Sequence, residues 1–180
     1  MNIIDQLRSI ETRHYDRFYR KISGPFRRNR RMRAAISLIN KGLTGWVYVT
    51  YPLMLLFLIL KKDRRVWKVS LIPSAAFGLI TLLRKRINRR RPYEDWDINP
   101  IIKKETKGKS LPSRHVFSCA VISMAFASIS PVLGLLYCTA SILLCTLRVI
   151  GGVHYPVDVA AGFAAGILSG LPMLFGKKRA

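Results

Sequence analysis

Acidic residues and histidines are the scarcest functional groups in this chain. The sequence has 9 Asp and Glu against 31 Lys and Arg, a formal net charge of +22, and it has only 3 histidines. So few carboxylates and imidazoles offer no cluster of the kind that binds a catalytic metal ion. The sequence therefore predicts a protein without a metal or any other cofactor.

Cysteine is equally scarce, and its placement excludes two further classes of protein. The three cysteines, Cys119, Cys138 and Cys145, all lie inside long apolar runs. An odd number of cysteines in such runs argues against a disulfide framework and against a zinc site, and favours core packing. The first apolar run begins far from the N-terminus, so no cleavable signal peptide is predicted.

Hydrophobic residues make up half of the sequence and are concentrated in long runs with the charges between them. Hydrocarbon tolerates uncharged helices and little else, so this layout is typical of a membrane protein. The run at 116–147 is too long for one ordinary span, and Ser130-Pro131 is the natural place to divide it. The pattern predicts an all-α integral-membrane bundle of about five transmembrane helices within residues 34–180. The uncharged runs are 43–60, 69–83, 116–147 and 159–176.

Residues 1–33 form a separate basic arm. Residues recur with helical spacing at Ile3, Leu7, Ile10, His14/Tyr15 and Phe18, while arginines interrupt them. We expect an amphipathic helix lying on the bilayer surface, and the alternative is a helix packed on the protein's own soluble face. The polybasic stretch at 27–33 either attracts anionic headgroups or acts only as a topogenic signal.

Two of the histidines and one carboxylate are candidates for catalysis. His115 and His154 stand at the mouths of apolar segments, and Asp158 is the only acidic residue inside one. Asp158 follows His154 by four residues, so on a helix both side chains share one face. A carboxylate beside an imidazole fixes its tautomer and makes the other ring nitrogen more nucleophilic. The alternative is that Asp158 only stabilises the first turn of a helix.

Arginines near these histidines suggest an oxyanion site. Arg148 precedes the Gly151-Gly152 turn, where we expect backbone amides to approach an anion closely. Guanidinium groups match phosphate oxygens and stay charged in partly buried places. Arg84 and Arg91 are further candidates, although charge count alone would make them a positive flank of the second span. In a five-span model the 84–114 loop and the 148–155 turn share one side of the membrane.

Together these residues resemble the type 2 phosphatidic acid phosphatase (PAP2) superfamily. Its pattern is Lys-x6-Arg-Pro, then Pro-Ser-Gly-His, then Ser-Arg-x5-His-x3-Asp. The chain departs from it at Arg84, which replaces the lysine and is followed by Lys85, and at Arg114 and Leu147, which replace the glycine and the serine. The chain reads Arg84-x6-Arg91-Pro92, Pro112-Ser113-Arg114-His115 and Leu147-Arg148-x5-His154-x3-Asp158.

The resemblance implies a metal-independent phosphatase with a phosphohistidine intermediate. His154 would attack phosphorus, Asp158 would orient it, and His115 would protonate the leaving oxygen and then activate water. The implied phosphate-binding residues are Arg84, Lys85, Arg91, Ser113, Arg114 and Arg148. The implied substrate is a lipid phosphate or pyrophosphate: undecaprenyl pyrophosphate, phosphatidylglycerol phosphate, phosphatidic acid or lipid A phosphate. Membrane lipids are then the expected surroundings, with no nucleic acid partner.

Two other functions fit part of the sequence. A vanadate-dependent haloperoxidase would use the same oxyanion site, but those relatives are large and soluble. A non-enzymatic basic membrane protein would bind nucleic acid or anionic lipid through its charge, yet this leaves the histidine–aspartate pair unexplained. Orientation is contested: the excess of Lys and Arg favours a cytoplasmic site, whereas the resemblance favours the extracytoplasmic face of the cell membrane. We predict the extracytoplasmic face.

Overall fold

The computed structural model describes residues 15–175, and every regular element in that range is a helix. This confirms the predicted all-α class. The predicted apolar positions Ile3, Leu7 and Ile10, and the basic tail at 177–179, lie outside the described residues. The helices are α1 (Tyr15–Arg27), α2 (Arg30–Leu60), α3 (Arg65–Ile87), α4 (Pro92–Asp95), α5 (Arg114–Ala127), α6 (Pro131–Ile150), α7 (Pro156–Gly170) and a short 3₁₀ helix (Leu171–Met173).

Five of these helices correspond to the predicted spans. Four are long and apolar enough to cross a membrane: α2, α3, α6, and α7 with its 3₁₀ extension. The predicted break is confirmed, because α5 ends at Ala127 and α6 begins at Pro131. In the first turn of a helix, the missing N–H of proline costs no hydrogen bond. With 14 residues, α5 rises only about 21 Å, less than the roughly 30 Å of a hydrocarbon core.

The short helix α5 lies at the centre of the bundle. It packs against α7 and α6 most extensively and also contacts α2 and α3. Ten of its residues, from Val116 to Phe126, are buried. The outer helices instead present apolar side chains outward, as with Leu79 on α3 and Leu135 on α6, each 70% exposed. Apolar side chains that face outward on long helices match a lipid surrounding.

A stripe of glycines sets the distance between α5 and α7. Gly162, Gly166 and Gly170 recur every four residues and face α5. A Cβ at Gly162 would lie 2.6 Å from the Ser113 carbonyl oxygen, and one at Gly166 would lie 2.6 Å from the Ala120 Cβ. Only glycine permits this approach, so the stripe fixes the start of α7 against the start of α5.

Helix α1 is amphipathic, as predicted, but its buried face contacts the protein itself. The Tyr15 and Tyr155 rings lie 4.7 Å apart, edge to face. Gly152 has a φ of +74°, and a Cβ there would meet the Tyr19 hydroxyl oxygen at 2.7 Å. The 151–155 turn therefore needs glycine for both its backbone and its packing. Of the predicted positions, Tyr15 is buried, whereas Phe18 stays 43% exposed.

Candidate active site

Three chain segments that are distant in sequence meet at one end of the bundle. Arg91 connects them: its Nε donates to the Gly108 carbonyl at 3.1 Å and its Nη1 to the Val153 carbonyl at 3.1 Å. The Ser113 amide donates to the Asp158 carbonyl oxygen at 2.8 Å. The 84–114 loop and the 148–155 turn thus lie together, on the same side, as the five-span model requires.

His154 is buried with its two ring nitrogens in different surroundings. Arg91 Nη1 lies 3.3 Å from Nε2, and because a guanidinium only donates, Nε2 must accept and the proton resides on Nδ1. Nδ1 lies 3.2 Å from Ser110 Oγ and 3.5 Å from Asp158 Oδ2. Burial lowers the pKa of His154 to about 4, although nearby Asp158 opposes the shift. At neutral pH the ring is therefore uncharged, with its Nε2 lone pair directed to the arginines.

Asp158 occupies the first turn of α7, and this corrects one sequence expectation. The helix begins at Pro156, so His154 precedes it and the two side chains do not share a helical face. Asp158 Oδ2 instead accepts from the Tyr155 amide at 3.1 Å, as a helix-capping carboxylate does. The carboxylate thus stabilises the helix N-terminus and faces the imidazole at the same time.

Three buried arginines, Arg84, Arg91 and Arg148, form what we call the arginine cluster. Each is at most 8% exposed. Both terminal nitrogens of Arg84 donate to backbone carbonyls, those of Pro112 and Lys109. Within residues 15–175, Arg148 Nε and Ser113 Oγ are buried without a hydrogen-bond partner. Buried donors of this kind are costly unless a ligand satisfies them, so these two fit an oxyanion.

The remaining predicted site residues lie around the cluster. His115 stands in the first turn of α5, partly buried, within electrostatic range of His154 and Arg148. Lys85 is exposed, so the helix brings Arg84, and not its neighbour, to the buried cluster. Arg114 is also exposed, with its guanidinium 5.5 Å from the centre of the Phe77 ring. The structure thus does not bring Lys85 or Arg114 into the buried site.

The sequence predicts that the glycine turn presents backbone amides to an anion, and the structure shows that it does not. The amides of Gly151, Gly152 and Val153 donate to carbonyls at the end of α6, at 2.8 to 3.2 Å. These bonds close the last turn of the helix and leave no N–H for a ligand. The glycine turn therefore contributes no amide to the phosphate site, and its glycines serve the packing of Tyr19.

The sequence matches the family model of the PAP2 superfamily over residues 65–178. The chain belongs to the PAP2 superfamily. No curated protein matches the sequence. Solved structures that share the fold include the following two. Aquifex aeolicus LpxE has a TM-score of 0.70 at 23% identity, with 88% of this chain and 93% of that chain covered. The first transmembrane PAP2 type phosphatidylglycerolphosphate phosphatase from Bacillus subtilis has a TM-score of 0.57 at 19% identity, with 89% and 92% covered.

Several residues of this PAP2 site were not predicted from sequence. Glu94 Oε2 accepts from the amides of Arg91 and Gly108, each at 2.8 Å, and so joins the two loops. Arg89 and Ser110 contact the Asp158 carboxylate. None of these residues belongs to a spaced motif, and only the density of arginines near Arg91 was a visible signal. Among the described residues, no group of three or more His, Cys, Asp or Glu is placed to hold a metal ion.

Lys104 is a further cation near the PAP2 site and was also not predicted from the sequence. It is partly buried, and burial, followed by Arg91 and the other arginines nearby, lowers its pKa to about 7. Below that pH the lysine is protonated and adds positive charge beside the arginine cluster. Above it the charge is lost.

We therefore expect the free enzyme to bind a permanent dianion such as sulfate more weakly as pH rises through 7. The inhibition constant should increase by about three- to tenfold from pH 6 to pH 8, the size of one weakened charge–charge interaction. Lys104→Met should flatten this dependence, and Lys103→Met, at an exposed neighbour, should preserve it. A sulfate affinity equally pH-dependent in the Lys104→Met variant would show that Lys104 does not face the anion.

Proposed function

We propose that this PAP2 protein is a membrane phosphatase that hydrolyses a lipid phosphate monoester or pyrophosphate through a phosphohistidine on His154. The observation that carries the proposal is the placement of the buried His154 imidazole, with Nε2 3.3 Å from Arg91 Nη1. The ring Nε2 accepts a hydrogen bond from Arg91. In the same site, Arg148 Nε and Ser113 Oγ are buried without a hydrogen-bond partner among the described residues and can donate to a phosphate. An unprotonated nucleophilic nitrogen beside fixed cations is what phosphoryl transfer to a histidine requires. Membership of the PAP2 superfamily supports the same reaction.

The chemistry divides into two displacements at phosphorus. In the first, His154 Nε2 attacks, the bond from phosphorus to the leaving oxygen breaks, and His115 gives its proton to that oxygen. In the second, His115 takes a proton from water, the oxygen of that water attacks phosphorus, and His154 leaves as a neutral imidazole. The arginine cluster and Ser113 hold the equatorial oxygens throughout. Positioning and charge neutralisation supply most of the rate in such reactions.

A lipid substrate follows from where the site lies. Its residues stand at the ends of apolar helices that are long enough to cross a membrane, and the ends of spanning helices reach the headgroup region. Exposed Arg114 rests over Phe77 at this same end, and its charge suits an approaching lipid phosphate. Undecaprenyl pyrophosphate, phosphatidylglycerol phosphate, phosphatidic acid and lipid A phosphate all offer the required group. The structurally similar Bacillus subtilis protein is named for one of them.

We expect turnover to persist in excess chelator and to be inhibited by vanadate. The arginine cluster supplies the positive charge that metal ions supply in other phosphatases. A pentacoordinate vanadate resembles the transition state and should bind at least about 100-fold more tightly than substrate. Phosphate release in detergent, with and without chelator, measures the first point, and a vanadate titration measures the second. An absolute requirement for added magnesium would contradict the proposal.

We propose further that the site faces the extracytoplasmic side of the cell membrane, against the charge bias of its loops. Single cysteines at 62 and 97, on opposite ends of the bundle, would report this in a variant whose three native cysteines are replaced by alanine. A membrane-impermeant maleimide should label Asp97→Cys in intact cells and leave Lys62→Cys unlabelled until the cells are lysed. The reverse pattern would place the site in the cytoplasm.

A further inference from the structure

Ser110 lies between the nucleophile and its aspartate. It is fully buried, and its Oγ stands 3.2 Å from His154 Nδ1 while donating a hydrogen bond to Asp158 Oδ2. The direct distance from Nδ1 to Oδ2 is longer, at 3.5 Å. Since the proton resides on Nδ1, the shorter path runs from Nδ1–H to the serine oxygen and from the serine hydroxyl to the carboxylate.

Arg89 holds the other oxygen of the same carboxylate. Its Nη1 lies 3.0 Å from Asp158 Oδ1, and the two side chains are 4% and 0% exposed. The guanidinium also stacks over the Tyr155 ring at 4.4 Å, and the Tyr155 hydroxyl donates to Asp95 Oδ2 at 3.0 Å. A buried carboxylate needs an opposite charge beside it to remain ionised, and Arg89 supplies that charge to Asp158. The Ser110 amide donates to the Arg89 carbonyl at 2.8 Å, so both residues belong to one rigid unit.

We propose that Ser110 and Arg89 are positioning residues for the nucleophile. Ser110 connects the Asp158 carboxylate to the His154 ring, and Arg89 limits how strongly that carboxylate stabilises the protonated ring. The inference rests on the proposed function, in which His154 Nε2 is the attacking atom. Through Ser110, the carboxylate fixes the Nδ1–H tautomer and the tilt of the ring. Through Arg89, the carboxylate stays ionised without stabilising the imidazolium enough to protonate the nucleophile at working pH.

The charges around His154 make this division testable. The ring faces Asp158 from α7, Arg91 from the loop after α3, Arg148 from α6 and His115 from α5, with Arg89 behind the carboxylate. The cations oppose protonation of His154, and Asp158 alone favours it. Removing Ser110 weakens the favourable interaction, while removing Arg89 strengthens it. The two changes should therefore move the protonation of the His154–Asp158 pair in opposite directions.

In Ser110→Ala, we expect covalent phosphorylation of His154 to slow by about 10- to 100-fold, the usual loss for a hydrogen bond to a charged group. Affinity for sulfate, a tetrahedral anion that does not mimic the transition state, should change by less than about threefold, because the arginine cluster is untouched. The acid limb of the pH–rate profile should move to lower pH, since the imidazolium loses part of its support. Ser123→Ala is the matched control, a buried serine whose hydroxyl bonds to its own helix.

In Arg89→Gln, the unbalanced carboxylate should let the His154–Asp158 pair take up a proton more readily. The acid limb should then move to higher pH, and Arg89→Lys, which keeps the charge, should restore most of it. Arg65→Gln serves as control, because Arg65 pairs with Asp63 at 2.6 Å at the opposite end of the bundle. Sulfate binding again reports whether each variant is folded, and if one variant fails to fold, the shift in the other decides.

Three outcomes are distinguishable. Opposite shifts of the acid limb, with slower labelling in Ser110→Ala, support the assignment. If either folded variant keeps both the labelling rate and the acid limb of the wild-type protein, the assignment of Ser110 and Arg89 is overturned. His154 would then contact Asp158 directly. Failure of the wild-type protein to form any phosphohistidine would instead reject the proposed function.

Discussion

His154→Ala should abolish turnover and leave no covalent phosphoenzyme. The buried imidazole directs its unprotonated Nε2 to the arginine cluster, 3.3 Å from Arg91 Nη1. Removing a nucleophile typically costs about 10⁴-fold or more in kcat. Rapid mixing with labelled substrate, acid-free quenching and peptide mapping would measure both the rate and the position of the label.

The same measurement contains its own controls. Exogenous imidazole should restore part of the turnover of His154→Ala without restoring a protein-bound label, because the free base replaces the lost ring. Asp158→Asn should still be labelled, but slowly, since the ring is present and poorly oriented. Undiminished labelling of His154→Ala, or a label on His115, would reject the assignment and leave only an oxyanion-binding membrane site.

His115→Ala should separate substrates by their leaving groups. A lipid alkoxide leaves poorly without a proton, so its phosphoryl transfer should slow by about 10²- to 10⁴-fold. A p-nitrophenolate needs little protonation, so formation of the phosphoenzyme from p-nitrophenyl phosphate should slow by no more than about tenfold. Water attack then lacks its base, and phosphohistidine on His154 should accumulate.

Burst kinetics would detect this accumulation. The wild-type protein should show a small burst of p-nitrophenolate, and His115→Ala a burst approaching one equivalent followed by slow turnover. Equal losses with both substrates and no trapped intermediate would mean that His115 positions the substrate instead of moving protons.

The sequence was sufficient for the membrane helices because their determinants are local. Uncharged runs and Pro131 specify where α5 and α6 divide, and the structure places the break at that proline. The spaced motifs likewise named His154, Asp158 and Arg148, which the structure gathers at one end of the bundle. The motifs meet in the folded protein because each lies at the end of a helix, and the hydrophobic run sets the length of that helix.

Other features depend on contacts between distant segments and left no pattern in the sequence. In the sequence, Arg84 and Lys85 are equivalent cations. The rotation of α3 against its neighbours buries Arg84 and exposes Lys85. Ser110 reaches Asp158 because Glu94 and Arg91 hold its loop in place. Helix α1 docks through Tyr19 on Gly152, from opposite ends of the chain. Such pairings arise from tertiary packing, which single-residue patterns do not encode.

The glycine stripe between α5 and α7 has a consequence for how the protein responds to different membranes. The helices that contact lipid most, α2 and α3, will tilt when the thickness of the bilayer departs from their apolar length. The two histidines lie instead at the starts of the innermost, most closely apposed pair, where Gly162 meets Ser113 without a side chain between them. Hydrophobic mismatch therefore acts on the periphery of the bundle, and the spacing of nucleophile and acid is insulated from it.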